Sequence, residues 1–341
     1  MPDKVPQLRD VLDAQRTIGR YLDPTPVHRY PSLDSTAGCD LFVKHENHQP
    51  TGAFKVRGGI NLVSHLGSEQ LGAGVYAAST GNHGQSVAYA ANLFGVAATI
   101  FVPDGANPVK VSSMRSLGAT VVEHGIDFDE ARERCDEVAA ARGARYIHSG
   151  DEPLLIAGVA TATLELLERE PSIDVIVVPV GGGSGAAGAC IVAKGVDPRI
   201  VVIGVQSEAA PAAYRAWRER RPVADEMHTF AEGLQTRVSF ELPQRILAEH
   251  LDEFVLVADD EIRAATLQMI ELTRTLVEPA GAAPLAAVLK LRERLAGQRV
   301  GLVCSGGNIS PAQLRELLEW GRVRRPAGNA PASLPRAVTG P

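Results

Sequence analysis

The chain has 341 residues, 45% of them hydrophobic and 22% charged, with a net charge of −6. That is ordinary globular composition, with no basic footprint for nucleic acid and no apolar run suited to a signal peptide or a membrane span. The expectation is a cytoplasmic protein with neither nucleic acid nor a membrane as partner. The cysteines Cys39, Cys135, Cys190 and Cys304 form no CxxC pair and no HExxH follows His45 and His48, so neither a disulfide framework nor a metal is expected.

A helix is predicted over residues 7–22, where Leu8, Val11, Leu12 and Ile18 recur at helical spacing. A strand at 40–44 leads into polar turn residues at 47–52 and a helix at 54–65. After a glycine break at 72–74, strands at 75–78, 97–102 and 119–123 alternate with helices at 82–94, 108–117 and 127–142. Such βαβαβα order implies a parallel sheet covered by helices. A second alternating region follows, with strands at 173–180, 200–205, 254–257 and 299–304. Its helices are expected at 154–168, from the glycine run to 193, and at 209–220, 260–275, 282–295 and 310–320. The expected fold is α/β, two open, mostly parallel twisted sheets flanked by helices, with a small domain inserted in a larger one. The large domain takes residues 1–73 and 150–325 and the small one 74–149. The Pro-, Ala- and Gly-rich tail at 326–341 is expected to be disordered.

The chemistry centres on residues 44–59. Lys55 opens a helix between Phe54 and Val56, and both apolar surroundings and the positive end of the helix dipole favour its neutral amine. Such a lysine can form a Schiff base. Three loops join it. Ser79-Thr-Gly-Asn-His-Gly-Gln85 ends a strand and opens a helix, where N–H groups, hydroxyls and the Asn82 amide suit a carboxylate. Gly181, Gly182, Gly183, Ser184 and Gly185 sit at another strand-to-helix turn and suit a phosphate. The same run fits GxGxxG, with Glu208 about 20 residues on, so a dinucleotide such as NAD is a competing occupant. The third loop, Cys304-Ser-Gly-Gly-Asn308, offers a hydroxyl to a ring nitrogen. Together the features describe pyridoxal 5'-phosphate acting on an amino acid, whereas NAD leaves the first and third loops unexplained.

From about residue 24 to 308 the chain resembles the fold type II (tryptophan synthase β-like) pyridoxal phosphate enzymes, and among them the threonine/serine dehydratase and serine racemase group. The resemblance rests on Thr51-Gly-Ala-Phe-Lys-Val-Arg-Gly, Ser79-Thr-Gly-Asn-His-Gly-Gln, Gly181-Gly-Gly-Ser-Gly and Ser305-Gly-Gly-Asn. It implies Lys55 as the Schiff-base lysine and proton acceptor, Phe54 near the cofactor ring and Asn82 at the ring 3-oxygen. It places residues 181–185 on the phosphate, Ser305 on the pyridine nitrogen and Glu278 at the cofactor edge. Ser79, Thr80, Gly81, Asn82 and His83 would surround the substrate carboxylate. The implied activity is dehydration and deamination of L-threonine or L-serine to 2-oxobutanoate or pyruvate and ammonia, in a homodimer.

The alternatives are a dehydratase of 3-hydroxyaspartate or a hydroxyectoine-derived amino acid, with Thr236 and Arg237 as pocket candidates, or a serine racemase, with Thr80 at the position of the racemase serine. Outside that group stand an NAD-binding oxidoreductase and an inactive amino-acid sensor. Ala53 replaces the usual serine, at an expected affinity cost of about 1 kcal/mol. Gln206 and Ala212 stand where metal-binding members place carboxylates, leaving only Glu208 nearby, so no metal is expected. A C-terminal regulatory domain is not expected.

Overall fold

The computed structural model describes residues 4–324; the expectation for 326–341 lies outside them. The chain is an α/β protein with two mostly parallel sheets flanked by helices. The described strands are β1 (Val27–Arg29), β2 (Asp40–His45), β3 (Val75–Ala78), β4 (Ala98–Val102), β5 (Thr120–Glu123), β6 (Arg145–Tyr146), β7 (Val175–Pro179), β8 (Val201–Ser207), β9 (Glu253–Val257) and β10 (Arg299–Cys304). One sheet has the order β1-β2-β10-β7-β8-β9 and the other β5-β4-β3-β6. Among these strands β1 alone runs antiparallel to its neighbour. β1 and β6 were not anticipated, because three and two residues are too few to carry a period.

The central strands of the larger sheet are apolar almost throughout because helices cover both faces. Leu41, Val43, Val177 and Leu302 pack with Leu285 and Val288 of the helix Pro279–Lys290. Phe42, Ile176, Val178 and Val303 face Ile156 and Cys190, from the helices Pro153–Arg169 and Ser184–Val196. In the smaller sheet Val75, Ala77, Ile100 and Val102 pack with Val56, Ile60 and Val87. Tyr76 and Phe101 pack on the opposite face with Ala131 and Cys135 of the helix Phe128–Ala141.

The helix Lys55–Val63 lies between the helices Asn82–Leu93 and Pro153–Arg169. Its two glycines permit that approach: a methyl group on Gly58 would meet Leu155 Cγ at 2.8 Å, and one on Gly59 would meet Ser86 Oγ at 2.4 Å. Beneath the helix is a buried set of charges. Arg57 donates to both oxygens of Glu46, at 2.7 and 2.8 Å, and to both oxygens of Glu165, at 2.6 and 2.7 Å. Lys44 donates to Glu165 at 2.5 Å and to the Thr25 carbonyl at 2.8 Å. Two cations and two anions cancel, and each gains hydrogen bonds against its desolvation.

Candidate active site

The loops after β2, β3, β7 and β10 meet at the carboxyl ends of their strands, the side on which open α/β sheets bind ligands. The parallel register of β2 and β10 brings Cys304 level with His45, so the loops that follow are neighbours. Ala53 bridges to Gly306, and the Phe54 N–H donates to the Ser305 carbonyl at 3.0 Å. With the segment 227–240 they enclose a cavity of about 530 Å³, the size of a small-molecule site.

Lys55 opens its helix from this junction, and its Nζ reaches across to the other loops. It donates to the Ser149 carbonyl at 2.7 Å and to Ser184 Oγ at 2.8 Å. Burial without a carboxylate partner lowers its pKa to about 8, which supplies neutral amine near physiological pH. The Phe54 ring centroid lies 5.4 Å from the same nitrogen.

The glycine run passes from β7 into the helix Ser184–Val196, with Gly183 at φ +89°. A methyl group on Gly181 would lie 2.3 Å from the Gly233 carbonyl oxygen, and one on Gly185 3.0 Å from the Phe54 ring. Gly182 is set back against Phe240, whose ring atom Cε2 would be 2.0 Å from such a methyl. The other residues singled out in the sequence, namely Phe54, Lys55, Ser79, Thr80, Gly81, Asn82, His83, Gly181, Gly183, Ser184, Gly185, Thr236, Glu278 and Ser305, all line the cavity.

Asn82 is held from two sides. It donates to Glu278 Oε1 at 2.8 Å, and its carbonyl oxygen accepts from Asn308 Nδ2 at 2.7 Å. Asn308 also donates to the Thr51 carbonyl at 2.8 Å. Burial raises the Glu278 pKa, opposed by the Lys110 charge and the Asn82 hydrogen bond. Ser79 Oγ accepts from the Gly81 N–H at 3.2 Å, which shapes the turn, and Thr80 is exposed to the cavity. His83 Nε2 lies 3.1 Å from the Ile147 carbonyl, so the ring proton is on Nε2. Its buried Nδ1 has no partner. Burial, with the Lys55 charge adding to it, lowers the His83 pKa to about 3. His83 thus presents a hydrogen-bond acceptor, and its ring is not a cation for a carboxylate.

Thr236 Oγ1 is 3.4 Å from both the Gly181 carbonyl and Gln206 Nε2, while Gln206 Oε1 accepts from the Tyr214 N–H at 3.0 Å. Arg237 lines the cavity and pairs with Asp129 at 3.2 Å. Glu208, the acid of the dinucleotide reading, is exposed and lies outside the cavity lining. Lys110, Glu232, His148 and Phe240 also line the site and were not anticipated. Lys110 could have been noticed from its place in the first turn after β4, on the ligand side of that sheet.

Pyridoxal phosphate fits these residues: a glycine-rich turn at a helix N-terminus for the phosphate, a desolvated amine beside it, an aromatic ring, and unpaired acceptor capacity on His83. The cavity is that of a pyridoxal phosphate enzyme. The chain belongs to the pyridoxal-phosphate dependent enzyme family, whose model matches residues 18–306. It is 37% identical over 318 residues to an L-threonine ammonia-lyase of Thermotoga maritima, covering 93% of this chain and 79% of that one. It is 34% identical to an L-threo-3-hydroxyaspartate ammonia-lyase of Saccharomyces cerevisiae, covering 92% of this chain and 97% of the relative. A solved serine racemase from Dictyostelium discoideum superposes with a TM-score of 0.85 at 34% identity, over 89% of this chain and 99% of that one.

Proposed function

We propose that the chain is an L-threonine/L-serine ammonia-lyase, releasing 2-oxobutanoate or pyruvate with ammonia. The observation that carries this reading is the position of the Lys55 amine, 2.8 Å from Ser184 in the glycine turn and facing the cavity shared with Ser79–His83. The likeness to threonine ammonia-lyases supports it.

Pyridoxal phosphate, when bound, supplies an electron sink for the Cα of an amino acid joined to it. The turn 181–185 would hold the phosphate with its backbone N–H groups, and Phe54 would flank the ring. Asn82, fixed by Glu278 and Asn308, and Ser305 would hold the ring by its polar edge. The N–H groups at the start of the helix Asn82–Leu93, with Ser79 and Thr80, orient the substrate carboxylate. The Nζ of Lys55, neutral above about pH 8, takes the Cα proton. The β-hydroxyl departs as water, and water returns at Cα as ammonia leaves, which balances the conversion to a 2-oxo acid.

Thr236 and Arg237 line the cavity and are the candidates to meet a longer or charged side chain, so 3-hydroxyaspartate is the second substrate class. Thr80, exposed in the cavity, is the group that would serve racemisation of serine. The reading places the enzyme in the cytoplasm as a homodimer. Among the described residues no helix is long and apolar enough to cross a membrane.

The test is an absorption spectrum of wild type and Lys55→Ala with L-threonine, L-serine and threo-3-hydroxyaspartate, with oxo-acid release followed. Wild type is expected to be yellow and to turn over a β-hydroxy amino acid, and Lys55→Ala to do neither. A wild type that takes up no pyridoxal phosphate overturns the reading.

A further inference from the structure

Lys110 and Glu232 face each other across the cavity from opposite sheets. Lys110 is 8% exposed, on the helix Pro108–Ser116 that packs over the smaller sheet. Glu232 opens the short turn Glu232–Leu234, which packs on the helix Pro279–Lys290 of the larger one. Their side chains form an ion pair through Lys110 Nζ and Glu232 Oε2.

Lys110 Nζ also borders the turn assigned to the substrate carboxylate. A methyl group built on Gly81 would lie 3.9 Å from it. An ammonium has three donors, and the hydrogen bond it makes among the described residues is the one to Glu232. Glu232 has a partner of its own, since its Oε1 accepts from Gln313 Nε2 at 2.5 Å, on the helix Pro311–Arg324. It can therefore release Lys110 without being left bare.

We infer that Lys110 is a further reader of the substrate's α-carboxylate, and that Glu232 occupies its ammonium until an amino acid enters. This rests on the reading of the cavity as an amino-acid site. One carboxylate replaces another as the partner of the same cation, while Glu232 keeps its hydrogen bond from Gln313 and its access to solvent. The entering carboxylate bridges the Ser79–His83 turn and Lys110, both on the smaller sheet. It thereby loosens the tie between that sheet and Glu232. A neutral ligand with the same amine leaves the clasp intact.

The test titrates the holoenzyme with L-alanine, which has no β leaving group, and with L-alaninol, which has the same amine and no carboxylate. Binding is read from the cofactor's absorption. Lys110→Met is expected to weaken L-alanine by about tenfold or more and to leave L-alaninol unchanged. Glu232→Gln, which frees the ammonium, is expected to tighten L-alanine, so a poorly folding Lys110 variant does not decide the matter alone. Equal weakening of both ligands by Lys110→Met makes the pair a structural tether and overturns the inference, as does weaker L-alanine binding by Glu232→Gln. Wild type that binds L-alanine, with Lys110→Met unchanged, overturns the inference alone. Wild type that responds to neither ligand overturns the amino-acid reading and the inference with it.

Discussion

Arg57 grips Glu46 through two hydrogen bonds of 2.7 and 2.8 Å, with both side chains fully buried, two positions along the helix from Lys55. The pair anchors the first turn of the helix that Lys55 opens. Arg57→Met leaves Glu46 and Glu165 with Lys44 as their one neighbouring cation, and the expected loss is about 3–5 kcal/mol of folding stability, read from urea denaturation. Arg57→Lys is expected to recover little of it, because one ammonium cannot reproduce the bidentate fork on two carboxylates.

The titration of Lys55 gives a second expectation. Burial brings its pKa from 10.5 to about 8. Capture of pyridoxal phosphate by the cofactor-free protein is expected to quicken with pH around a midpoint of about 8. The folded protein loses this proton before the unfolded chain does, so the cofactor-free protein gains stability as pH rises between about 8 and 10.5. Thermal denaturation across that range should show the rise in wild type and not in Lys55→Met.

Acid should act through buried histidines before it reaches the carboxylates. Burial lowers His45 from 6.5 to about 4 and His83 from 6.5 to about 3. Both remain neutral in the folded state where the unfolded chain takes up protons. Stability is therefore expected to fall as pH drops below 6.5, by about 1.4 kcal/mol per pH unit for each histidine. Burial opposes ionisation of Glu46, but Arg57 and Lys44 outweigh it and bring the pKa from 4.5 down to about 2. Its contribution is lost only in that lower window. Urea midpoints between pH 7 and 3 test the order, and His83→Gln should flatten the upper part of the curve.

Much of this was legible because βα alternation and glycine at strand ends are local signals. The runs Val-Ile-Val-Val of β7 and Leu-Val-Cys of β10 read as covered strands, and the loops after them read as ligand-side turns. Charges paired over long separations were not legible. Nothing near Glu165 marks it as the partner of Arg57, and nothing near Lys110 points to Glu232. The role of His83 also depended on Ile147, since a carbonyl from a distant loop decides which ring nitrogen carries the proton. Gly182 shares its motif with Gly181, yet only the place of Phe240 separates the two.

Gly181 and Gly182 should respond differently to a methyl group. In Gly181→Ala the new atom meets the backbone oxygen of Gly233 at 2.3 Å, so the loop itself must shift. Pyridoxal phosphate affinity is expected to fall about tenfold or more, measured by absorbance titration. In Gly182→Ala the obstacle is the Phe240 ring at 2.0 Å, and a second change, Phe240→Leu, should restore much of the binding. It should not rescue Gly181→Ala.

The order of strands in the larger sheet bears on how the protein is made. β10 comes last among the described strands, yet it lies between β2 and β7. While the ribosome is still delivering residues 299–304, β2 and β7 are each without that neighbour and expose an unpaired edge. Ser305, which lines the cavity, and Asn308, which holds Asn82, emerge only after that strand. The β1–β2 pair and the β7–β8–β9 strands are therefore joined into one sheet only when β10 is in place, and the loop that follows it completes the cavity last.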